Sequence, residues 1–408
     1  MKTVLISLLL ISTAAFAQVV SPEVASDPLQ TRASLNPFAV PAVALARDRK
    51  GIAASWTMRD ADGHDRIAVV RLDASGHFSG PVHNVPATSP GSVNAGDPSI
   101  AAAPGGDGFV LTWIERSGGA VAAWCRLDSD LNPSAPAILP TRTLSLRSPP
   151  IVRSGKTSWI TADTSVWQVQ TDGSLTGPLD GGITVSDMAV TTEVPQVVSG
   201  VMNPVSDSWI CGCSSGRFSW FCSESCKIHH YSYSYSLHFI ALYSASEVTT
   251  FPFNSDAQPA IRSDGHDALI SWFNGTESIG GQVMATRLDP STFSSFRQSA
   301  DNPRILGTFG TDSGKSRPDI AADDERYVVV WRTMSPLREH DIVGASIDRE
   351  GNVVSFSIAA SQEDERDPSV IAIGNGTFLV AYEKFDSAGQ RRIAGRLVTF
   401  ERRSHAIR

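Results

Sequence analysis

The stretch Asp97–Asp130, DPSIAAAPGGDGFVLTWIERSGGAVAAWCRLDSD, decides the fold because it recurs along the chain. It reads as a Pro followed by a short apolar strand, a polar turn, a β-rich strand ending on an aromatic residue, a polar loop and a third strand. Arg317 opens a second version, RPDIAADDERYVVVWRTMSPLREHDIVGASIDREG, and Asp367 a third, DPSVIAIGNGTFLVAYEKFDSAGQRRIAGRLVTF. Two more begin at Val40 and Gln258: VPAVALARDRKGIAASWTMRDADGHDRIAVVRLDASG and QPAIRSDGHDALISWFNGTESIGGQVMATRLDPS. The register is tight. Pro41, Pro98, Pro259, Pro318 and Pro368 precede Trp56, Trp113, Trp272, Trp331 and Tyr382 by 13 to 15 residues. Those aromatics precede Arg71, Arg126, Arg287, Ser346 and Arg396 by the same interval. Degenerate copies at PPIVRSGKTSWITADTSVWQVQTDGS and VPQVVSGVMNPVSDSWICGC bring the count to seven units.

A unit of about 50 residues with four short strands cannot bury both faces of its own sheet and must stack on neighbours, which is the pattern of a β-propeller blade. The expectation is an all-β chain forming a seven-bladed β-propeller. Six blades with one degenerate unit, or an open row of β-sandwiches, are the alternatives. The fourth strand follows the third, as in NVVSFSIAAS from Asn352 and EVTTFPFN from Glu247. The last unit ends at RLVTFERRSHAIR without room for one, so residues 18–40 are expected to supply it and to close the ring by pairing the two ends of the chain. The units resemble the degenerate propeller repeats of many exported bacterial proteins across nearly the whole mature chain. That resemblance implies architecture and no particular activity.

The chain opens MKTVLISLLLISTAAFAQVV: a Lys, an apolar run from Val4 to Ile11, and Ala15-Phe16-Ala17 as a small-x-small cleavage site. This is a bacterial secretory signal over residues 1–17, too short to span a bilayer, so a secreted or periplasmic protein without membrane insertion is expected. One domain is expected over residues 18–408. The formal net charge is −8, and loss of Lys2 with the leader makes it more negative. Such a chain is a poor polyanion ligand, which excludes nucleic acid as the expected partner. With 41% hydrophobic and 19% charged residues, it has the composition of a large core. No cofactor is implied, and a monomer is expected.

In this architecture the first strand of each unit lines an axial channel. The loop leading into it shares a face with the loop between the second and third strands. That face would carry Glu115, Asn274, Arg317, Arg332 and Glu383. In the fourth unit it would also carry the insertion CGCSSGRFSWFCSESCKIHHYSYSYS, Cys211–Ser236. Cys211, Cys213, Cys222 and Cys226 are expected as two disulfides in an oxidising compartment; a zinc site with His229 or His230 is the alternative. Trp220 and the alternating Tyr231, Tyr233 and Tyr235 offer rings for a sugar or protein partner, or for packing within the insertion. Arg153 and Arg262 occupy matching first-strand positions and are expected to line the channel. No metal is expected: Asp60, Asp62 and Asp65 resemble a fragment of a calcium loop, but with His64 where a ligand should stand the expected reading is a solvated turn. Cys125, in a third strand, is expected to be a buried free thiol.

Asn274-Gly275-Thr276 and Asn375-Gly376-Thr377 match glycosylation acceptors but suit turns in a bacterial protein. Serine-nucleophile, HExxH and phosphate-loop motifs are absent from the sequence. The functional expectation is a binding or scaffolding protein for a carbohydrate or protein partner. The runner-up is a polysaccharide hydrolase or lyase with its site at the channel mouth.

Overall fold

The computed structural model describes residues 18–25, 43–89, 94–116, 119–141, 150–154, 157–180, 187–191, 194–209, 229–241, 246–253, 259–276, 280–288, 303–310, 317–334 and 339–401. Among these residues the chain is all-β and forms seven antiparallel sheets, numbered 1 to 7 in chain order. Sheets 1 to 6 are four-stranded meanders. Their first strands are Val43–Arg47, Asn94–Ala102, Ile151–Ser154, Asp187–Thr191, Ala260–Ser263 and Asp319–Ala322. Sheet 7 takes Asp364–Gly374, Thr377–Phe385 and Arg391–Phe400 from the C-terminal end. Its fourth strand is Gln18–Val20, antiparallel to the third with Gln18 opposite Phe400. Val24–Ala25 pairs further along the same strand. The N-terminal stretch therefore completes the last sheet, as the missing strand required.

Charge fastens this junction as well as backbone pairing. Glu23, between the two short N-terminal strands, accepts hydrogen bonds from Tyr382 Oη and Lys384 Nζ, both at 2.7 Å. Arg396 lies 3.6 Å away.

The strands form where they do because they are buried on both faces, and successive side chains serve different interfaces. In sheet 1, Ile67 and Val69 join the cluster shared with sheet 2, which includes Phe109, Leu111 and Trp113. Their neighbours Ala68 and Val70 pack with Trp56 against Leu379, Ala381 and Ile393 of sheet 7. Sheet 6 repeats the arrangement: Tyr327, Val329 and Trp331 face sheet 5, while Val328 and Val330 face sheet 7. The core thus lies between sheets, and Trp56, Trp113, Trp331 and Tyr382, the recurring aromatics, are at most 2% exposed.

Turns are set by a recurrent Asp. Asp60, Asp73, Asp128 and Asp386 each accept from the backbone N–H groups two and four residues on. In three of these turns the fourth residue is Gly63, Gly76 or Gly389 at positive φ, a conformation that costs glycine little.

The first strand of each sheet lies against the first strand of the next, and that of sheet 7 lies against that of sheet 1. Sheet 4 corrects one detail of the sequence reading. VPQVV, which resembles a first strand, begins the second strand, Val194–Trp209; the first is Asp187–Thr191, without a Pro before it. The second and third strands of this sheet, 16 and 13 residues long, pair from Gln196 opposite Ala241 to Trp209 opposite His229. Residues 229–236, expected in the insertion, belong to this third strand, and residues 210–228 lie outside the described residues.

Candidate functional site

The residue just after the repeat's Pro sets the geometry at the centre. Ser99, Asp319 and, after Ser186 in place of the Pro, Asp187 occupy this position on first strands, and each accepts a backbone N–H from the following sheet's first strand. The donors are Val152 at 3.2 Å, Ile261 at 3.1 Å and Val370 at 3.0 Å. Two residues further along sheets 3 and 5, Arg153 and Arg262 reach back toward the carboxylates. Arg153 Nη2 donates to Asp187 Oδ1 at 2.8 Å. Arg262 bridges, with Nη1 on Asp187 Oδ2 at 2.9 Å and Nη2 on Asp319 Oδ1 at 3.0 Å. Arg317, just before Pro318, adds Nη2 to Asp187 Oδ2 at 2.8 Å. One carboxylate from sheet 4 therefore holds guanidiniums from sheets 3, 5 and 6.

Asp187 is fully buried, which by itself would raise its pKa. The charges of Arg153, Arg317 and Arg262 outweigh burial and hold the carboxyl well below the usual range. Burial, reinforced by the neighbouring charge of Arg262, pushes Arg153 down to about 9. Among the described residues, three guanidiniums and the two carboxylates Asp187 and Asp319 form one connected network.

A cavity of about 300 Å³ runs from this network along the first strands. Arg153, Arg262, Arg317 and Asp319 form one wall. Small apolar residues from sheets 1, 2, 6 and 7, including Ala44, Ala101, Ile320 and Ala372, form much of the rest, with Ser99 and Ser369 among them. Its lining extends to Arg47, Ala102, Ser263, Ala322 and Ala372, toward the trailing ends of the first strands. The acids that follow three of those ends, Asp48, Asp264 and Asp323, are engaged in capping their hairpins.

The expected loop face fares differently. Glu115 is 2% exposed and accepts from Thr88 N and Trp113 Nε1 at 2.9 Å, as well as from Thr88 Oγ1. Arg317 is buried in the axial network. Arg332 is buried and lies 3.5 Å from Asp367 of the next sheet. Glu383 is 1% exposed, and neither carboxylate oxygen has a hydrogen-bond partner among the described residues. Burial pushes its pKa up to about 8, against the opposing charge of Arg391. These four side chains are interior groups, a correction to the expected face; a polar residue beside a buried aromatic packs inward when a partner or a neutral form makes burial tolerable. Asn274 is exposed.

Tyr231, Tyr233 and Tyr235 lie on the strand His229–Ala241, opposite Asp207, Pro204 and Met202. Trp220, Cys211, Cys213, Cys222 and Cys226 lie outside the described residues, as does the expected signal sequence. Cys125 is buried and unpaired, with burial raising its thiol to about 12. The calcium reading loses a ligand: the groups close enough to share an ion are Asp60, Asp62 and His64. Asp65 is 1% exposed and withdrawn from them. Asp60 already caps the turn and pairs with Arg66 at 3.0 Å.

Sequence reading missed Asp187 and Asp319. Asp319 was legible as the residue after Pro318, in the position of Ser99 and Ser369. Asp187 was not, because Ser186 replaces the Pro that marks the register.

No family model and no curated protein matches the chain. Among solved structures, the chain is similar to a protein of unknown function from Dyadobacter fermentans at 11% identity, over 94% of this chain and 99% of that one, with a TM-score of 0.47. It is also similar to the β-propeller domain of the Trilobed protease from Pyrococcus furiosus at 10% identity, over 87% and 94% of the two chains, with a TM-score of 0.44. A third likeness is to the Aleuria aurantia lectin, at 10% identity over 90% and 96%, with a TM-score of 0.41.

Proposed function

We propose that this chain is an exported, closed seven-bladed β-propeller that binds a carbohydrate or protein partner without transforming it, using the axial cavity as its ligand site. Seven sheets, the sequential contacts of their first strands and the N-terminal strand in sheet 7 support the closed ring. The leader sequence supports export.

One observation carries the preference for binding over catalysis. Asp319 is the sole carboxylate among the described residues lining the cavity, and both of its oxygens are occupied. Oδ1 accepts from Arg262, and Oδ2 accepts from Ser369 Oγ at 2.9 Å and from Val370 N. Glycoside hydrolysis needs a proton donor and a second carboxylate placed across the scissile bond. Asp187 serves three arginines instead and is held ionised.

The reading is tested by presenting the mature protein with a polysaccharide panel and with extracellular proteins of a bacterial host, and assaying both retention and product formation. Retention with no new reducing ends or unsaturated products is expected. Saturable turnover that is lost when the cavity is filled by Ala372→Leu would overturn the non-catalytic reading.

A further inference from the structure

The axial wall is charged beyond what the fold requires. Arg153 and Arg262 occupy a position that the other described sheets fill with Ala44, Ala101, Ala189, Ala321 and Ile371, so the repeat itself is satisfied by an apolar side chain, most often alanine. Each guanidinium carries five N–H donors. Arg153 gives three hydrogen bonds to protein, to Ser99 Oγ, Val152 O and Asp187, and its Nε is buried without a partner among the described residues. Arg262 also gives three, to Asp187, Ile261 O and Asp319. Among the described residues, Arg262 keeps two donors and Arg153 keeps one Nη2 donor besides its buried Nε. The side chains are 15% and 21% exposed and line the cavity. Arg47 adds a further cation to the lining.

We propose that the axial cavity is a binding site for a small organic carboxylate whose carboxylate group is received by the spare donors of Arg153 and Arg262 and whose body rests on the alanine wall. This rests on the binding-module reading and narrows its ligand. Guanidinium donors that face a largely desolvated cavity are stabilised by an anion. The planar guanidinium fork matches the two oxygens of a carboxylate. The apolar wall of Ala44, Ala46, Ala101 and Ala372 favours carbon over further charge, and about 300 Å³ is the small end of ligand cavities. The carboxylate can come from an acidic sugar or from an apolar acid, and the test separates the two.

Calorimetric titration of the mature protein at low ionic strength would use D-glucuronate, hexanoate, D-glucose and inorganic phosphate as separate probes. One saturable site per chain for glucuronate, for hexanoate or for both is expected, with glucose silent. Glucuronate alone identifies an acidic sugar; hexanoate alone identifies an apolar acid. Arg262→Lys keeps the charge and loses the fork, and should weaken binding at least tenfold. Ala372→Leu fills the cavity without touching the arginines and should abolish it, with circular dichroism confirming the fold of both variants. Silence from both carboxylates, binding of phosphate alone, or binding untouched by both substitutions would overturn the proposal. Retention of a neutral glycan or of a protein with no response to carboxylates would sink this inference alone and leave the binding-module reading standing.

Discussion

The axial wall has two halves built on the same repeat. Sheets 3 to 6 place Arg153, Asp187, Arg262, Arg317 and Asp319 at its heads; sheets 7, 1 and 2 place Ser369, Ala44, Ser99, Ala101 and small apolar residues at equivalent or adjacent positions. The neutral half shows what the fold needs, which is a short side chain that lets first strands approach one another. The charged half shows what has been added. Its ion pairs replace apolar contact with interactions that hold only while every member is present, because removing one partner strands a desolvated charge.

Breaking the charged half should therefore cost most. Asp187→Asn leaves three guanidiniums facing one remaining carboxylate, and a loss of about 3–5 kcal/mol is expected from urea denaturation. Val370→Ala on the neutral half removes only packing and should cost about 2 kcal/mol. Equal losses would mean that the charged network is ordinary core.

A second contrast, between Glu115 and Glu383, predicts a pH effect. Both are buried, but Glu115 receives three hydrogen bonds and Glu383 none among the described residues. Glu383 has its folded pKa raised from 4.5 to about 8, so its contribution is fully present below 4.5 and is lost as pH rises through about 8. The wild-type chain should lose a few kcal/mol between pH 5 and 9, at ~1.4 kcal/mol per pKa unit, and Glu383→Gln should flatten that slope. A slope that persists in the variant would assign it to another group.

Smaller effects test the junction of the chain ends and the stitching of the neutral half. Glu23→Gln weakens the contacts to Tyr382 and Lys384 and should cost about 1–2 kcal/mol at neutral pH. Burial alone would raise the Glu23 pKa, but its bond to Lys384 and the other contacts leave it lowered, so this contribution should disappear on acidification. Ser369→Ala deletes one hydrogen bond to Asp319 and should cost about 1 kcal/mol.

The sequence made the repeated part of the structure legible and obscured the exceptions. Pro-to-aromatic spacing located first and second strands in the regular units, and the missing strand after RLVTF pointed to the N-terminus. It misplaced the first strand of sheet 4, where no Pro precedes Asp187. Arg153 and Arg262 were found because equivalent positions in a repeat point the same way. Glu115, Arg332 and Glu383 were assigned to a surface because polar residues at a strand end usually meet water; here hydrogen bonds to Thr88, the ion pair with Asp367, or a raised pKa make burial tolerable. Sequence spacing alone holds no record of those partners, which come from other sheets or distant turns.

The proposed ligand site is the lopsided cavity lined by Arg153 and Arg262. A crystal structure of the mature chain, grown with the tightest-binding compound from a panel of neutral oligosaccharides and organic carboxylates, tests it most directly. Ligand density is expected between the alanine wall and the guanidiniums of Arg153 and Arg262. Density on the opposite loop face near Asn274, or at the tip of the long hairpin of sheet 4, with the cavity filled only by solvent, would contradict it.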